Sequence, residues 1–220
     1  MRSVLGDIVA REAYVMKRAL TPQEIELFEG YAAELKKWNS KVNLTAITKD
    51  AEIAIKHFVD SLAVFPFLAA DDTLLDIGSG AGLPVIPLKI VLSDIPMISV
   101  DAVAKKIHFQ RHVIRSLNLK NIEAIHARVE ELHKTHLHSF SVITSRAFTR
   151  LDRFVSLAAP LLAEGGMLIA MKGDQADVEI AASDDHVNAV GFEVVSVHRY
   201  TLPQNMGDRV LTFLKQSKAA

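Results

Sequence analysis

The stretch Leu74–Pro84 constrains the fold of this chain more than any other, because a short apolar run leads into three alternate glycines, Gly78, Gly80 and Gly82. The apolar run is typical of a buried strand, and an apolar, helix-like segment follows the glycines. Glycine takes up positive φ and has no Cβ, so a glycine-rich turn lets a ligand come close to the backbone. The pattern predicts a strand, a ligand-binding turn and a helix start, as at the carboxyl end of the first parallel strand in nucleotide-binding sheets.

The spacing of the glycines indicates which ligand the turn would accept. The dinucleotide fingerprint needs a third glycine at the position of Leu83, and an acid, Asp76, lies two residues before Gly78. An acid there repels a pyrophosphate but attracts a cation, and S-adenosylmethionine carries a sulfonium, an amino group and no phosphate. The alternative is an ordinary glycine-rich turn without a ligand. The expected contact residues in this stretch are Asp76, Gly78, Ser79, Gly80, Gly82 and Leu83.

Length and composition limit the class of protein. The 220 residues, 50% of them hydrophobic, suffice for one α/β domain and a small accessory segment. No apolar run approaches the roughly 20 residues that cross a bilayer, so we expect no membrane contact. The absence of cysteine excludes disulfides, thiolate zinc sites and iron–sulfur clusters, and makes a cytoplasmic protein the default. His133, His136 and His138 lack an acid at ligand spacing, which predicts a polar loop and no metal site.

The chain divides into a helical part, residues 1–70, and a mixed part, residues 71–220, and we expect the two to pack as one unit. Thr21-Pro22-Gln23-Glu24 combines an N-cap, a proline at the first helical position and a capping-box acid. It predicts a helix that ends near Trp38-Asn39-Ser40. A further helix is predicted over residues 51–68, ended or bent by Pro66.

The mixed part alternates apolar runs with helical patterns, which predicts a mostly parallel sheet with helices on both faces. After the first strand, the predicted strands are Ile98–Val100, Ile122–Ile125, Ser141–Thr144, Met167–Met171, Glu193–Val197 and Val210–Leu214. The predicted helices are 84–92, 103–117, 151–162 and 174–190. No helix separates the last two strands, so they should form an antiparallel hairpin.

Several charged residues lie at predicted strand ends. Asp101 ends the second strand candidate, where an acid accepts hydrogen bonds from ribose hydroxyls. A helix-capping role is the compatible alternative. Arg128, Arg146 and Lys172 lie at or just after later strand ends, so they should meet at the carboxyl edge and suit an anionic or acceptor-rich substrate. Ion pairs with neighbouring glutamates are the alternative.

One absent motif narrows the chemistry. Exocyclic-amine methyltransferases place an Asp/Asn-Pro-Pro-Tyr signature after the fourth strand, where this chain has Ser145-Arg146-Ala147-Phe148. The substitution points away from amine methylation.

Taken in order, six groups of residues resemble the bacterial 16S ribosomal RNA guanine-N7 methyltransferases, the glucose-inhibited division protein B family. They are Trp38-Asn39 with Asn43-Leu44-Thr45, His57-Phe58-x-Asp60-Ser61, the Asp76–Pro87 loop, Arg128-x-Glu130-Glu131, Ser145-Arg146-Ala147-Phe148 and Met171-Lys172-Gly173. The resemblance covers about Thr21 to Leu214. It implies a class I, Rossmann-like methyltransferase fold with a seven-stranded sheet and an N-terminal helical cap. It also implies methyl transfer from S-adenosylmethionine to N7 of one guanine in 16S rRNA, naked or within a partly assembled small subunit.

The resemblance also assigns roles to residues. The expected catalytic residues are Arg146, Lys172, Arg128, Asn39 and His57, of which Asn39 and His57 in the cap would shape the RNA site. The expected cofactor contacts beyond the turn are Asp101, Ala102, Arg128, Val129, Glu130 and Arg146.

Two positions depart from the family pattern. Val85 stands where the family usually has glycine, and Ala102 lacks the usual hydroxyl. Two other classes stay open: a nicotinamide-dependent oxidoreductase, which Leu83 disfavours, and a non-catalytic RNA-binding module with a retained pocket. We expect a monomer.

Overall fold

The computed structural model describes residues 3–217, and the first third of this range is helical. The elements are α1 (Val4–Val15), α2 (Pro22–Val42), α3 (Asp50–Ile53), a π-helical segment (Ala54–Val59), α4 (Asp60–Leu62) and a 3₁₀ turn (Phe65–Phe67). None of the helices among residues 3–217 combines the length and hydrophobicity needed to cross a membrane.

The start of α2 confirms the predicted capping box. The Thr21 hydroxyl accepts a hydrogen bond from the Glu24 amide at 3.2 Å, and the Glu24 carboxylate accepts one from the Thr21 amide at 2.7 Å. The predicted end near Ser40 is slightly early, since α2 ends at Val42, where the left-handed Asn43 (φ 51°) stops it. The predicted helix over 51–68 is too long: α4 ends at Leu62, and Pro66 lies in the separate 3₁₀ turn.

The remaining elements confirm the predicted alternation of strands and helices. The strands are β1 (Leu74–Ile77), β2 (Met97–Asp101), β3 (Ile122–His126), β4 (Phe140–Arg146), β5 (Leu162–Lys172), β6 (Phe192–Thr201) and β7 (Asp208–Gln216). The helices are α5 (Val85–Val91), α6 (Ala104–Ser116), α7 (Val129–Leu132), α8 (Leu151–Ala158) and α9 (Ala176–Ala189). The short α7 has no counterpart in the prediction, because one helical turn carries too few residues to show a period.

The seven strands form one sheet in the order β3-β2-β1-β4-β5-β7-β6. β1 to β5 are parallel, and β7 inserts antiparallel between β5 and β6, which confirms the predicted hairpin. The strand order reverses between β1 and β4. In open α/β sheets ligands bind at that reversal, above the carboxyl ends of the strands.

The helical cap shares a hydrophobic core with one face of the sheet. Phe28 and Tyr31 of α2 pack on Phe58, with ring centroids 5.2 and 5.1 Å apart, and all three are fully buried. The same cluster contains Ile86 of α5 and Phe109 of α6. Each aromatic pair adds about 0.5–1.5 kcal/mol beyond the area it buries. The division of the chain at residue 70 stays a prediction.

Replacing Thr21 with alanine should lower the free energy of unfolding by about 1 kcal/mol, because the Glu24 amide at the start of α2 loses its acceptor. Urea denaturation followed by circular dichroism measures the loss. Thr48→Ala, at an exposed position between α2 and α3, is the matched control. An equal loss in both variants would contradict the capping role.

Candidate active site

A cavity of about 360 Å³ lies at the carboxyl ends of β1 to β4. We call it the cofactor cavity after the predicted cofactor contacts in its lining. Its lining includes six of the predicted cofactor contacts: Gly78, Asp101, Ala102, Arg128, Val129 and Glu130. Its other lining residues are Val100, Lys106, Ala127, Ala147, Phe148, Arg153 and Leu157. Asp76, Ser79, Gly80, Gly82, Leu83 and Arg146 are not among them, so their predicted contacts with a cofactor stay proposals.

The turn after β1 needs glycine for steric reasons that the structure makes explicit. Gly78 has a φ of +69°, and a Cβ there would lie 2.1 Å from the Phe148 ring. Gly82 has a φ of +89°, and its Cβ would meet the Ile86 side chain at 2.4 Å. A side chain at either position would therefore disturb both the backbone and a packed neighbour.

Asp101 binds the turn directly. One carboxylate oxygen accepts a hydrogen bond from the Gly80 amide at 3.0 Å, and the other accepts one from the Val103 amide at 2.8 Å, just before α6. The ammonium of Lys106 lies 3.9 Å from the first oxygen. Asp101 does not cap α6 as the alternative predicted, because Val103 occupies the N-cap position and α6 has no side-chain cap, but the Asp101 carboxylate lines the cofactor cavity.

Asp76 lies beneath the turn and is fully buried. Burial raises the pKa of its carboxyl well above the usual range, opposed by the Thr144 hydroxyl, which donates to Oδ1 at 3.1 Å. Its Oδ2 has no hydrogen-bond partner among residues 3–217. The backbone N–H of Val85, at the start of α5, also favours the ionised form of this carboxyl and opposes the rise of its pKa.

A second cavity, of about 200 Å³, adjoins the first and contains two predicted catalytic residues. We call it the cation cavity. It is lined by Asp60, Arg146, Ala147, Met171, Lys172, Gly173 and Arg209. Because Ala147 lines both cavities, the two meet at the loop after β4.

Asp60 organises the cation cavity, although the sequence analysis named it only as part of the family-like group His57-Phe58-x-Asp60-Ser61. Its side chain is 4% exposed and lies 3.2 Å from the Arg146 guanidinium and 3.5 Å from that of Arg209. The Tyr200 hydroxyl donates to it at 2.8 Å. Burial and the Asp60 charge raise the pKa of Tyr200, which therefore keeps the proton it donates. The structure shows no His57–Asp60 hydrogen bond among the described residues.

Local backbone and long-range topology together place Asp60. The π-helical segment Ala54–Val59 directly precedes it, and such segments often occur at functional sites. Tyr200 and Arg209 come from β6 and β7, 140 and 149 residues away, so no local sequence pattern could have linked them to Asp60.

Lys172 ends β5, as predicted, and is held by two acceptors. Its ammonium lies 2.7 Å from the Glu179 carboxylate of α9 and 2.7 Å from the Thr149 carbonyl. The predicted alternative, an ion pair with a glutamate, is therefore present, though the partner is Glu179 and not a sequence neighbour.

Arg128 has an exposed side chain at the cofactor cavity, and its amide donates to the Glu131 carboxylate at 2.8 Å. Glu130 lies 3.6 Å from Arg153. Both residues thus belong to the first cavity, while Arg146 and Lys172 belong to the second.

Asn39 and His57 form one hydrogen-bonded network in the cap. The Asn39 side-chain oxygen accepts from the Leu44 and Thr45 amides at 2.7 and 2.8 Å. The Thr45 hydroxyl, which accepts from the Ile47 amide, lies 2.9 Å from Nε2 of His57. The other ring nitrogen lies 3.2 Å from the Lys56 carbonyl, which assigns the proton to Nδ1. Burial, aided by the Arg146 charge, lowers the pKa of His57 to about 4, so the ring is neutral near pH 7.

The three clustered histidines contact protein groups. His133 and His138 face the Leu157 and Leu162 carbonyls at 2.9 and 3.1 Å, and His136 faces the Thr135 hydroxyl. Within residues 3–217 no group of three or more His, Cys, Asp or Glu side chains is arranged to hold a metal ion.

Comparison with known proteins decides the family. The family model for GidB, described as rRNA small subunit methyltransferase G, matches residues 24–206. This chain belongs to the GidB family. The resemblance predicted from the sequence is confirmed.

The aligned regions span most of this chain and most of each relative. A ribosomal RNA small subunit methyltransferase G of Geobacter sulfurreducens is 48% identical over 192 residues, 87% of this chain and 88% of the relative. The protein of the same name from Geobacter sp. strain M21 is 47% identical over 184 residues, 84% and 85% of the two chains. The one from Bacillus pumilus is 36% identical over 203 residues, 90% and 85%.

Solved structures confirm the fold of this GidB family member. P. horikoshii TYW2 in complex with MeSAdo has a TM-score of 0.58 at 12% identity, over 74% of this chain and 63% of that one. M. jannaschii TYW2 in complex with AdoMet has a TM-score of 0.56 at 12% identity, over 72% and 76%. The predicted class I methyltransferase fold, with its seven-stranded, mostly parallel sheet, is confirmed.

The low pKa of His57 predicts that the stability of the protein depends on pH. Its pKa is lower in the folded protein, about 4, than in the unfolded chain, so the unfolded chain binds the proton first. The stability from His57 is complete above about pH 6.5 and is lost as the pH falls toward 4, on the order of 3 kcal/mol in all.

Urea denaturation of the wild type and of His57→Gln between pH 4 and 8 measures this contribution. The difference in the free energy of unfolding between the two should shrink as the pH falls through 6, because glutamine does not titrate. A difference that stays constant with pH would contradict a buried neutral His57.

Proposed function

We propose that this protein transfers a methyl group from S-adenosylmethionine to N7 of a guanine in 16S ribosomal RNA. The observation that carries the proposal is the meeting of the two cavities at Ala147, in a member of the small-subunit rRNA methyltransferase family. One cavity fits the methyl donor, and the other offers cations and a shape of about 200 Å³ for the acceptor base.

The residues of the cofactor cavity fit S-adenosylmethionine. The Asp101 carboxylate, which lines the cavity next to the turn, suits hydroxyl donors and a cationic ligand and repels a pyrophosphate. Lys106, Arg128 and Arg153, which line the same cavity, suit the carboxylate of that molecule. When bound, S-adenosylmethionine supplies an electrophilic methyl group on a sulfonium.

Asp101 would accept hydrogen bonds from the ribose, and Ala102, Val129 and Glu130 would line the adenine side. Gly78 exposes its backbone to the cavity, whereas Leu83 is 4% exposed and packs in the hydrophobic core. Val85 is buried in that same core, so its departure from the family pattern affects packing beneath the turn.

Methylation of guanine N7 requires little chemical participation from the protein. Guanine N7 has a lone pair and no proton to lose, so the chain needs no general base and works by positioning and by excluding water. Positive charge develops on the guanine ring, and a cation aimed at N7 would oppose it. Arg146 and Lys172 would therefore face O6 or a backbone phosphate.

The ion pairs of the cation cavity support this assignment. Asp60 holds Arg146 in place and offsets part of its charge, and Glu179 does the same for Lys172. Arg146 and Lys172 each keep N–H groups that can donate to the RNA. The two carboxylates reduce the positive electrostatic potential at the guanine ring. The neutral His57 adds no further positive charge.

The cap would form one wall of the RNA site. The Arg146 guanidinium donates to the Lys56 carbonyl at 3.1 Å, next to His57, so the Asn39–Thr45–His57 network fixes the backbone on which Arg146 rests. Asn39 and His57 thus shape the site from behind. We propose residues 1–70 as a cap on a methyltransferase domain of residues 71–220, acting as a monomer in the cytoplasm.

The other two classes are not favoured. A nicotinamide oxidoreductase would need a glycine at the buried position of Leu83, and the family match is to methyltransferases. A non-catalytic RNA-binding module would have no need for a cation cavity that adjoins the cofactor cavity.

Incubation of the protein with labelled S-adenosylmethionine tests the reaction. The substrates are naked 16S rRNA and small subunits at stages of assembly, from cells that lack the enzyme. Nucleoside mass spectrometry should show 7-methylguanosine at one position, and the better substrate identifies the partner. Label on an exocyclic amine, or none on any RNA, would refute the proposal.

Arg146→Ala should lower the methyl-transfer rate about 100-fold or more, because the acceptor loses its positioning. Arg146 lines the cation cavity and not the cofactor cavity, so the affinity for S-adenosylhomocysteine should stay within about twofold, which would exclude the predicted cofactor contact of Arg146. Single-turnover kinetics and calorimetry measure the two effects. Arg115→Ala, at an exposed position of α6, is the matched control. Normal methylation by Arg146→Ala would remove the residue from the site.

A further inference from the structure

Two carbonyls of the glycine turn accept hydrogen bonds from side chains of other elements. The Gly80 carbonyl accepts a hydrogen bond from Nε2 of Gln110 on α6 at 2.8 Å. The adjacent Ala81 carbonyl accepts one from the Tyr31 hydroxyl on α2 at 2.6 Å. Neither donor lines the cofactor cavity or the cation cavity.

Gln110 is fully buried and uses its whole amide. Its oxygen accepts a hydrogen bond from the Ser99 hydroxyl on β2, and its nitrogen also donates to the Ser79 hydroxyl at 2.8 Å. The Gly80 carbonyl can only accept, so it fixes which end of the amide faces the turn. One side chain thus joins β2, α6 and the turn.

The side chain of Tyr31 is also held in one orientation. Its ring is fully buried and stacks on Phe58 with the ring planes 21° apart, so the hydroxyl points in one direction. Burial raises the pKa of the phenol, which therefore remains a donor at all ordinary pH values. Through this bond the cap reaches the cofactor turn directly.

These hydrogen bonds restrain a backbone segment that loses much conformational entropy when it becomes ordered. Glycine loses more conformational freedom on ordering than any other residue, and Gly78, Gly80 and Gly82 all have positive φ. Fixing a turn before its ligand arrives raises affinity, because binding no longer has to order the turn. With Asp101 on the Gly80 amide, three elements hold the two residues Gly80 and Ala81.

We propose that Tyr31 and Gln110 are positioning residues for the methyl donor, which set its affinity by holding the turn in its binding conformation. The inference rests on the proposed binding of S-adenosylmethionine at this turn. Failure of the wild type to bind S-adenosylhomocysteine would sink that underlying proposal, whereas the variants below test the positioning role.

Tyr31→Phe removes one oxygen atom, and Gln110→Met removes the amide while keeping an unbranched side chain. Calorimetric titration with S-adenosylhomocysteine should show a Kd about 5- to 10-fold higher in each variant. At saturating donor the kcat should stay within about twofold of the wild type. Tyr14→Phe, the same chemical change at a side chain that is 72% exposed, should leave the Kd unchanged.

The double variant and hydrogen exchange separate positioning from mere stability. If both side chains hold one turn, the Kd increase in the double variant should be smaller than the product of the single increases. Amides of the turn, residues 79–83, should exchange faster in the ligand-free variants and regain protection with ligand. A lower Tm with an unchanged Kd and unchanged exchange at the turn would overturn the proposal.

Discussion

The turn between β1 and α5 has positive φ at Gly78, Gly80 and Gly82, and the surrounding structure holds it by hydrogen bonds to one amide and two carbonyls. Asp101, at the end of β2, accepts a hydrogen bond from the Gly80 amide. Side chains of α6 and α2 donate to the carbonyls of Gly80 and Ala81. The helical N-terminal part of the chain therefore contributes a side chain that holds the glycine turn. A single hydrophobic cluster beneath the turn keeps these elements together.

A buried carboxylate, Asp60, holds the side chains around the cation cavity in place. Asp60 lies between two guanidinium groups and a phenol, and breaking such a group by removing one partner leaves an uncompensated charge. The cap supplies Asp60, β4 supplies Arg146, and the terminal hairpin supplies Tyr200 and Arg209. In the reaction that we propose, methyl donor and acceptor meet where these three parts of the chain converge on the loop after β4.

The sequence was sufficient for the elements with strong local signals. The capping box at Thr21, the glycine turn and the alternation of strands and helices all predicted what the structure shows. It was insufficient where a side chain acts through tertiary contacts: Asp60 bonds with Tyr200, 140 residues away, and Tyr31 reads locally as one more residue of an apolar helix face. Lys172 was placed at the correct strand end, but its partner Glu179 depends on how α9 packs.

The proposed reaction requires that the turn after β1 binds a cationic methyl donor and not a phosphate. Calorimetric titration of the protein with S-adenosylmethionine and with NAD, each under the same buffer and salt, tests it most directly. We expect saturable binding of one S-adenosylmethionine per chain and no heat above dilution for NAD. Binding of NAD without binding of S-adenosylmethionine would contradict it.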